Sequence, residues 1–210
     1  MQTSVYAVLR DFDKSFNLLT EIKEYLNEAQ LDYVARTGIL EKAATGTTAA
    51  GGTLALPADL VRITSFAVDG GTDGVPDSQV ELTNDEIFLS YKLAGSVPAH
   101  TLGRIFGANI ETFPLVVSKA YSLEYIYAPP TLTADGDIPA VPVETHVRLV
   151  NYARAQAKWK EGEEQEGDKY YSLYVEGLPS APTGLYRHRP GPFSLVPTPD
   201  YFDAVYAEGG

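Results

Sequence analysis

Apolar residues repeat along this chain at two different periods, and the switch between them limits what it can fold into. From Leu18 to Arg36, residues Ile22, Leu26, Ala29 and Tyr33 recur at steps of four, three and four, the stripe of an amphipathic helix. Glu21, Lys23, Glu24, Asn27, Glu28 and Asp32 fall largely on its other side. Thr20 is placed to cap the start, and Gly38 to stop the helix beyond Thr37. From Thr53 the pattern becomes that of strands: Thr53–Pro57, then Val61–Val68, with Val61, Ile63, Ser65 and Ala67 alternating onto one face. Further strands are expected over 101–106, 110–117 and 121–127, with Gly107-Ala108-Asn109 turning between the first two. Asp69-Gly70-Gly71-Thr72-Asp73-Gly74 reads as a turn, and Thr83-Asn84-Asp85-Glu86 as the cap of a short helix carrying Ile87, Leu89 and Tyr91 or their neighbours.

Helical spacing returns near Val143, where Val147, Val150, Ala153 and Ala157 make a narrow stripe that another helix can approach closely. A last helical piece spans Lys169–Glu176, after an acidic stretch interrupted by Gly162 and Gly167, and a short helix is expected around Thr3–Arg10. Ala43–Gly52 consists of small residues without a period and reads as a mobile loop. Ala128-Pro129-Pro130 and Pro139-Ala140-Val141-Pro142 bracket an extended connector, because proline removes the amide donors that a strand ladder needs. The expected fold class is therefore α+β. Helices from both ends (1–45 and 143–178) form a bundle, residues 50–142 form a β-rich insertion, and 179–210 form an extended arm.

The chain has 210 residues, and 28 acidic side chains against 16 Lys and Arg give a net charge of −12. Affinity for nucleic acid comes largely from cations that replace counterions on phosphates, so this balance argues against a DNA or RNA clamp. It is compatible with a wall past which DNA slides. There is no cysteine, which removes disulfides, thiolate metal sites and cysteine nucleophiles. No signal peptide and no apolar run of membrane-spanning length is visible, and a soluble protein made in a cytoplasm is expected.

Chemistry-bearing patterns are sparse. His100, His146 and His188 show no metal spacing and read as surface or capping histidines. The Asp69–Gly74 segment fails as a calcium loop: Gly71 stands where an oxygen ligand belongs, and position twelve falls on Val80. Asp135-Gly136-Asp137 is likewise a turn. Neither a nucleophile elbow nor a phosphate-binding glycine loop occurs, and no two carboxylates stand out as a hydrolytic pair. The expectation is no catalytic residue, no metal and no cofactor.

The last 32 residues carry six of the chain's 14 prolines, interleaved with aromatic residues. A proline-stiffened, aromatic-rich segment loses little entropy when laid into a groove, so it reads as an arm that grips a partner. The expected partner-binding residues are Tyr186, Arg187, Arg189, Phe193, Tyr201, Phe202 and Tyr206. The bland alternative is an arm packed on its own domain.

The order of these elements resembles the head–tail adaptor (neck) proteins of tailed bacteriophages. The segments that carry the resemblance are Glu21–Asp32, Leu54–Ile63 (Leu-Ala-Leu-Pro-Ala-Asp-Leu-Val-Arg-Ile), Leu123–Pro130 and His146–Ala153. The resemblance implies a structural protein of the virion neck, assembled in the host cytoplasm. It implies a ring of twelve copies between the portal and a tail, stopper or nozzle protein, with DNA passing through the channel without specific binding. A second reading is a monomeric carbohydrate- or protein-binding module that uses Tyr121, Tyr125 and Tyr127 as a stacking platform. A carboxylate-dependent hydrolase ranks third.

Overall fold

The structure, a computed structural model, describes residues 19–176 and 178. These fall into two compact units, one of residues 19–40 with 128–178 and one of residues 41–127.

In the first unit, helix α1 (Leu19–Thr37) buries Ile22, Leu26, Ala29, Gln30, Tyr33 and Val34, the expected stripe with two additions. Gly38 ends the helix at φ +66°, with its N–H on the Val34 carbonyl at 2.8 Å. A 3₁₀ turn (Val143–Thr145) leads into α3 (His146–Lys160), which packs against both α1 and α4 (Glu164–Glu176). Helix α4 begins five residues before the expected Lys169. Gly167 lies inside it because its missing Cβ leaves room for the Trp159 ring, whose Cδ1 would stand 2.3 Å from an added methyl. The connector between the Pro pairs has no strand, and its backbone groups are bound by polar side chains of α1. Asn27 accepts from the Leu132 N–H at 2.7 Å and donates to its carbonyl at 3.1 Å, while Gln30 donates to the Pro130 carbonyl at 2.9 Å. The polar side of α1 is thus a docking edge for the connector.

The second unit is a seven-stranded sheet in the order β1-β7-β3-β4-β5-β6-β2. Its strands are β1 (Glu41–Thr47), β2 (Thr53–Ala55), β3 (Leu60–Val68), β4 (Ser78–Leu82), β5 (Thr101–Phe106), β6 (Asn109–Phe113) and β7 (Ala120–Tyr127). All neighbours are antiparallel except β4 and β5, which the helix α2 (Asp85–Ala94) connects. The two edge strands follow each other in the chain. From Thr47 to Thr53 the backbone reaches at most about 22 Å, whereas seven flat strands would separate the edges by about 29 Å. The sheet therefore curls almost into a barrel. Its interior holds Leu54, Ile63, Phe66, Val68, Val80, Ile110, Leu123 and Tyr125.

Three expectations are corrected here. The architecture is not a helical bundle with an inserted β domain; it is a mixed α/β fold in which the near-barrel sheet is a principal body with its own helix. The segment 43–52 is not all loop. Ala43–Thr47 belong to β1, paired residue for residue with Glu124–Ala120 of β7, because a strand of small residues can be held by main-chain bonds alone. The alternation in β3 is also broken. Val61 and Ile63 are buried, then a register shift between Ile63 and Ser65 moves the inward face to Phe66 and Val68.

Candidate interaction surfaces

A crossover between parallel strands normally lays an apolar helix stripe on the sheet. Helix α2 departs from this. Its start is firmly specified: Asn84, with extended backbone, accepts the Ile87 N–H at 2.9 Å, and Gly95 closes the other end at φ +62°. Yet Phe88 is its one buried residue, meeting the Phe113 ring edge-on with centroids 6.3 Å apart. Arg104 covers this anchor, with its guanidinium 5.0 Å from the Phe88 ring and 4.9 Å from that of Phe106. It is held there by Glu111 at 2.9 Å and Asp85 at 3.3 Å. Ile87, Leu89 and Tyr91 are exposed, together with Leu93 at 85% and, just past the helix, Val97 at 78%. Ile87 with Tyr91, and Leu89 with Leu93, form two i,i+4 rows flanking the outward side.

A ten-residue helix is marginal in water without tertiary support. Phe88→Ala should therefore free α2 and raise amide exchange across Asp85–Ala94 at least tenfold, while strands β3 and β7 keep their protection. Hydrogen exchange read by mass spectrometry checks this, and unchanged exchange in α2 would show that another contact holds it.

The second apolar surface lies where α3 begins. Val147, expected in the buried stripe, is 61% exposed, and Val143, one turn before it, is 76% exposed. The residues that α3 buries are Leu149, Val150, Ala153, Ala155, Ala157 and Lys158. Glu144 is exposed and Arg148 half-buried beside the two valines.

Elsewhere the polar chemistry serves the fold. Lys158 is 7% exposed; burial opposes its charge, but hydrogen bonds to Glu161 at 2.8 Å and Glu163 at 2.9 Å outweigh that and raise its pKa. Burial, then Glu28 and Asp32, push the Tyr152 hydroxyl up to about 12. Burial and Asp32, to which it donates, raise Tyr174 as well. Three carboxylates are lowered: Asp59 by hydrogen bonds from Lys42 and Tyr125, Asp137 by the N–H groups of Ala134 and Thr133, and Glu163 by Lys158.

The sign of the pH dependence follows. A lowered carboxylate stabilises the fold above its unfolded pKa, about 4, and that contribution is lost as pH falls through the folded value. The raised Lys158 contributes fully below its unfolded value, about 10.4, and loses this only as pH rises through the folded one. The melting temperature should thus hold level between about pH 5 and pH 9 and fall below about pH 4. A midpoint at pH 3 equal to that at pH 7, by circular dichroism, would contradict it.

The seven expected arm residues, Tyr186, Arg187, Arg189, Phe193, Tyr201, Phe202 and Tyr206, lie outside the described residues, as do His188 and the helix expected at Thr3–Arg10. His146 opens α3 with Nε2 3.0 Å from the Val141 carbonyl, and His100 is exposed just before β5. Asp69 accepts the N–H groups of Gly71 at 2.8 Å and Gly74 at 3.2 Å, as a turn requires. The tyrosines proposed as a stacking platform are poorly disposed for one. Tyr125 is 3% exposed in the barrel interior with its hydroxyl on Asp59 at 3.0 Å, and Tyr121 and Tyr127 pack partly against the same core. Among the described residues no group of three His, Asp or Glu could hold a metal ion, and no helix is long and apolar enough to cross a membrane.

Residues 2–194 match the family model described as SU10 adaptor protein. No curated protein matches the chain.

Proposed function

We propose, from the premise that this chain belongs to the SU10 adaptor protein family, that it is a structural head–tail adaptor forming a ring between the portal and the tail components of a tailed phage. The observation that carries the reading is the extent of the match, which takes in nearly the whole chain. Exposed apolar faces such as that of α2 suit a protein whose work is assembly. The ring has about twelve copies in this reading and sits in the virion neck after assembly in the host cytoplasm. Its partners are the portal on one side and a tail, stopper or nozzle protein on the other. Tyr186, Arg187, Arg189, Phe193, Tyr201, Phe202 and Tyr206 grip the portal or a neighbouring copy. The net charge of −12 suits a channel past which DNA moves, since its phosphates are repelled and not bound.

The test is mass measurement by light scattering on the purified chain, alone and mixed with the portal protein of the same phage, followed by imaging of the complex. A ring bound coaxially to the portal is the expected result. A chain that stays monomeric in both conditions would overturn the reading.

A further inference from the structure

We propose that the outer edge of β1 receives residues 201–207 of a neighbouring copy as an added strand. This inference rests on the ring reading above and names one contact between its copies. Among the described residues β1 pairs with β7 on one side and with no strand on the other. The Thr48 N–H bonds the Lys119 carbonyl at 2.9 Å, and the register runs residue for residue from there back through β1. Bonding alternates along an antiparallel pair, so Gly46 and Ala44 turn their main-chain groups to β7, whereas Thr47, Thr45 and Ala43 turn theirs outward. Edges of this kind are normally blunted by charge, proline, a bulge or shortness. The opposite edge is blunted: β2 has three residues, and Pro57 follows two places on. Over residues 43–47 β1 carries none of these devices, and all but Ala44 are exposed.

The composition of the arm selects the occupant. All six of its prolines fall within residues 179–200, and none within 201–207 (Tyr-Phe-Asp-Ala-Val-Tyr-Ala). That last segment matches the seven residues of β1 in length and carries Tyr201, Phe202, Val205 and Tyr206, which favour strands. Large side chains need room on the neighbouring strand, and β1 offers it. Tyr121 of β7 already lies over its cross-strand partner Gly46, where an added Cβ would stand 2.9 Å from the tyrosine hydroxyl. Ala43 and Ala44 leave similar space for rings arriving from the outer side. The connector argues for a neighbouring copy: 22 residues stiffened by proline reach about 70 Å when extended, and carry the end of the chain away from its origin. An arm passed from copy to copy is a heterologous contact, the kind that generates rings. Main-chain bonds supply its affinity, as in other strand additions. Tyr186, Arg187, Arg189 and Phe193 are left for the portal.

Two variants of the full chain separate edge from strand. Thr45→Pro removes an outward N–H and none that β7 uses, so the fold tolerates it. Ala204→Pro with Val205→Pro removes one edge-facing N–H from the arm, whichever way the segment lies. Each should weaken self-association, read by light scattering, at least about tenfold. Mixed together, the two should form a one-to-one dimer and stop there, because one supplies a sound arm and the other a sound edge. Weakening without recovery in the mixture would overturn the pairing of these two segments. Hydrogen exchange of the unmodified chain gives a readout that needs no change in β1: exchange over residues 43–47 should slow on assembly, and stay fast in the arm variant. That comparison decides the matter if Thr45→Pro fails to fold. Slow exchange of β1 in a monomer would overturn the proposal in favour of the chain's own arm. Rings formed by both variants at parental affinity would overturn this contact and leave the ring reading standing, whereas a parent chain that stays monomeric even with the portal would overturn both.

Discussion

Replacing Phe66 with alanine should lower the unfolding free energy by about 3–5 kcal/mol. Phe66 is 1% exposed and opposite Leu123, itself fully buried, in the middle of the curled sheet. Truncation removes the ring from the apolar interior of a curled sheet of seven hydrogen-bonded strands. Such a sheet collapses poorly, so both the transfer term and the cavity term count. For a domain with 5–15 kcal/mol of total stability, the loss is a large fraction. Urea titration at 25 °C should show a lower midpoint with an unchanged slope, since the surface exposed on unfolding is nearly the same. The control is Ser65→Ala, expected within about 0.5 kcal/mol of the parent. The pair tests the register directly. If strict alternation held through β3, Ser65 would face inward and Phe66 outward, and the sensitivities would exchange.

That strand shows where a sequence stops being informative about its own fold. Periodicity located α1, α3 and most of the strands because each pattern is local: Gly38 stops α1 at a positive φ, and the Gly107 turn joins β5 to β6. The bulge in β3 is not local, because it is set by which residues of β7 lie opposite. Strand β1 is a stronger case. Ala43, Ala44, Thr45, Gly46 and Thr47 carry no pattern of their own, and their conformation comes from β7, almost eighty residues later. Asn27 and Gln30 look like solvated helix polars until the connector that they hold, about a hundred residues on, is placed beside them. Gly167 looks like a helix stop until Trp159 is seen to occupy the space of its Cβ.

The surfaces were legible to a different degree. The cap and the composition of α2 identified a helix with an apolar side, but composition cannot say whether that side meets the sheet or the solvent. One buried Phe88 against exposed Ile87, Leu89, Tyr91 and Leu93 decides it. Val147 reverses in the same way: it fits the spacing of the buried stripe, yet α3 is rotated so that Leu149 takes the interior and Val147 the surface. In both cases the sequence displays the amount of apolar surface, and three-dimensional packing determines how much of it is left over. That remainder is what an assembling protein has to offer a partner.

Removing residues 179–210 should reduce affinity for the portal roughly a thousandfold while leaving the melting temperature of the remaining chain within a few degrees. The segment contains Tyr186, Phe193, Tyr201, Phe202 and Tyr206 with Arg187 and Arg189, the residue types that dominate interface energetics. If two of these seven act as anchors at about 2 kcal/mol each, the loss is about 4 kcal/mol, which is roughly a factor of a thousand. Six prolines strengthen the expectation, because a chain already restricted in φ gives up less entropy on docking than a flexible tail of the same length. Binding by the truncated chain at parental affinity would move the portal contact onto the described surfaces. A large fall in melting temperature would instead place the arm against its own globule, where its aromatics would be part of the core and not a grip on another ring.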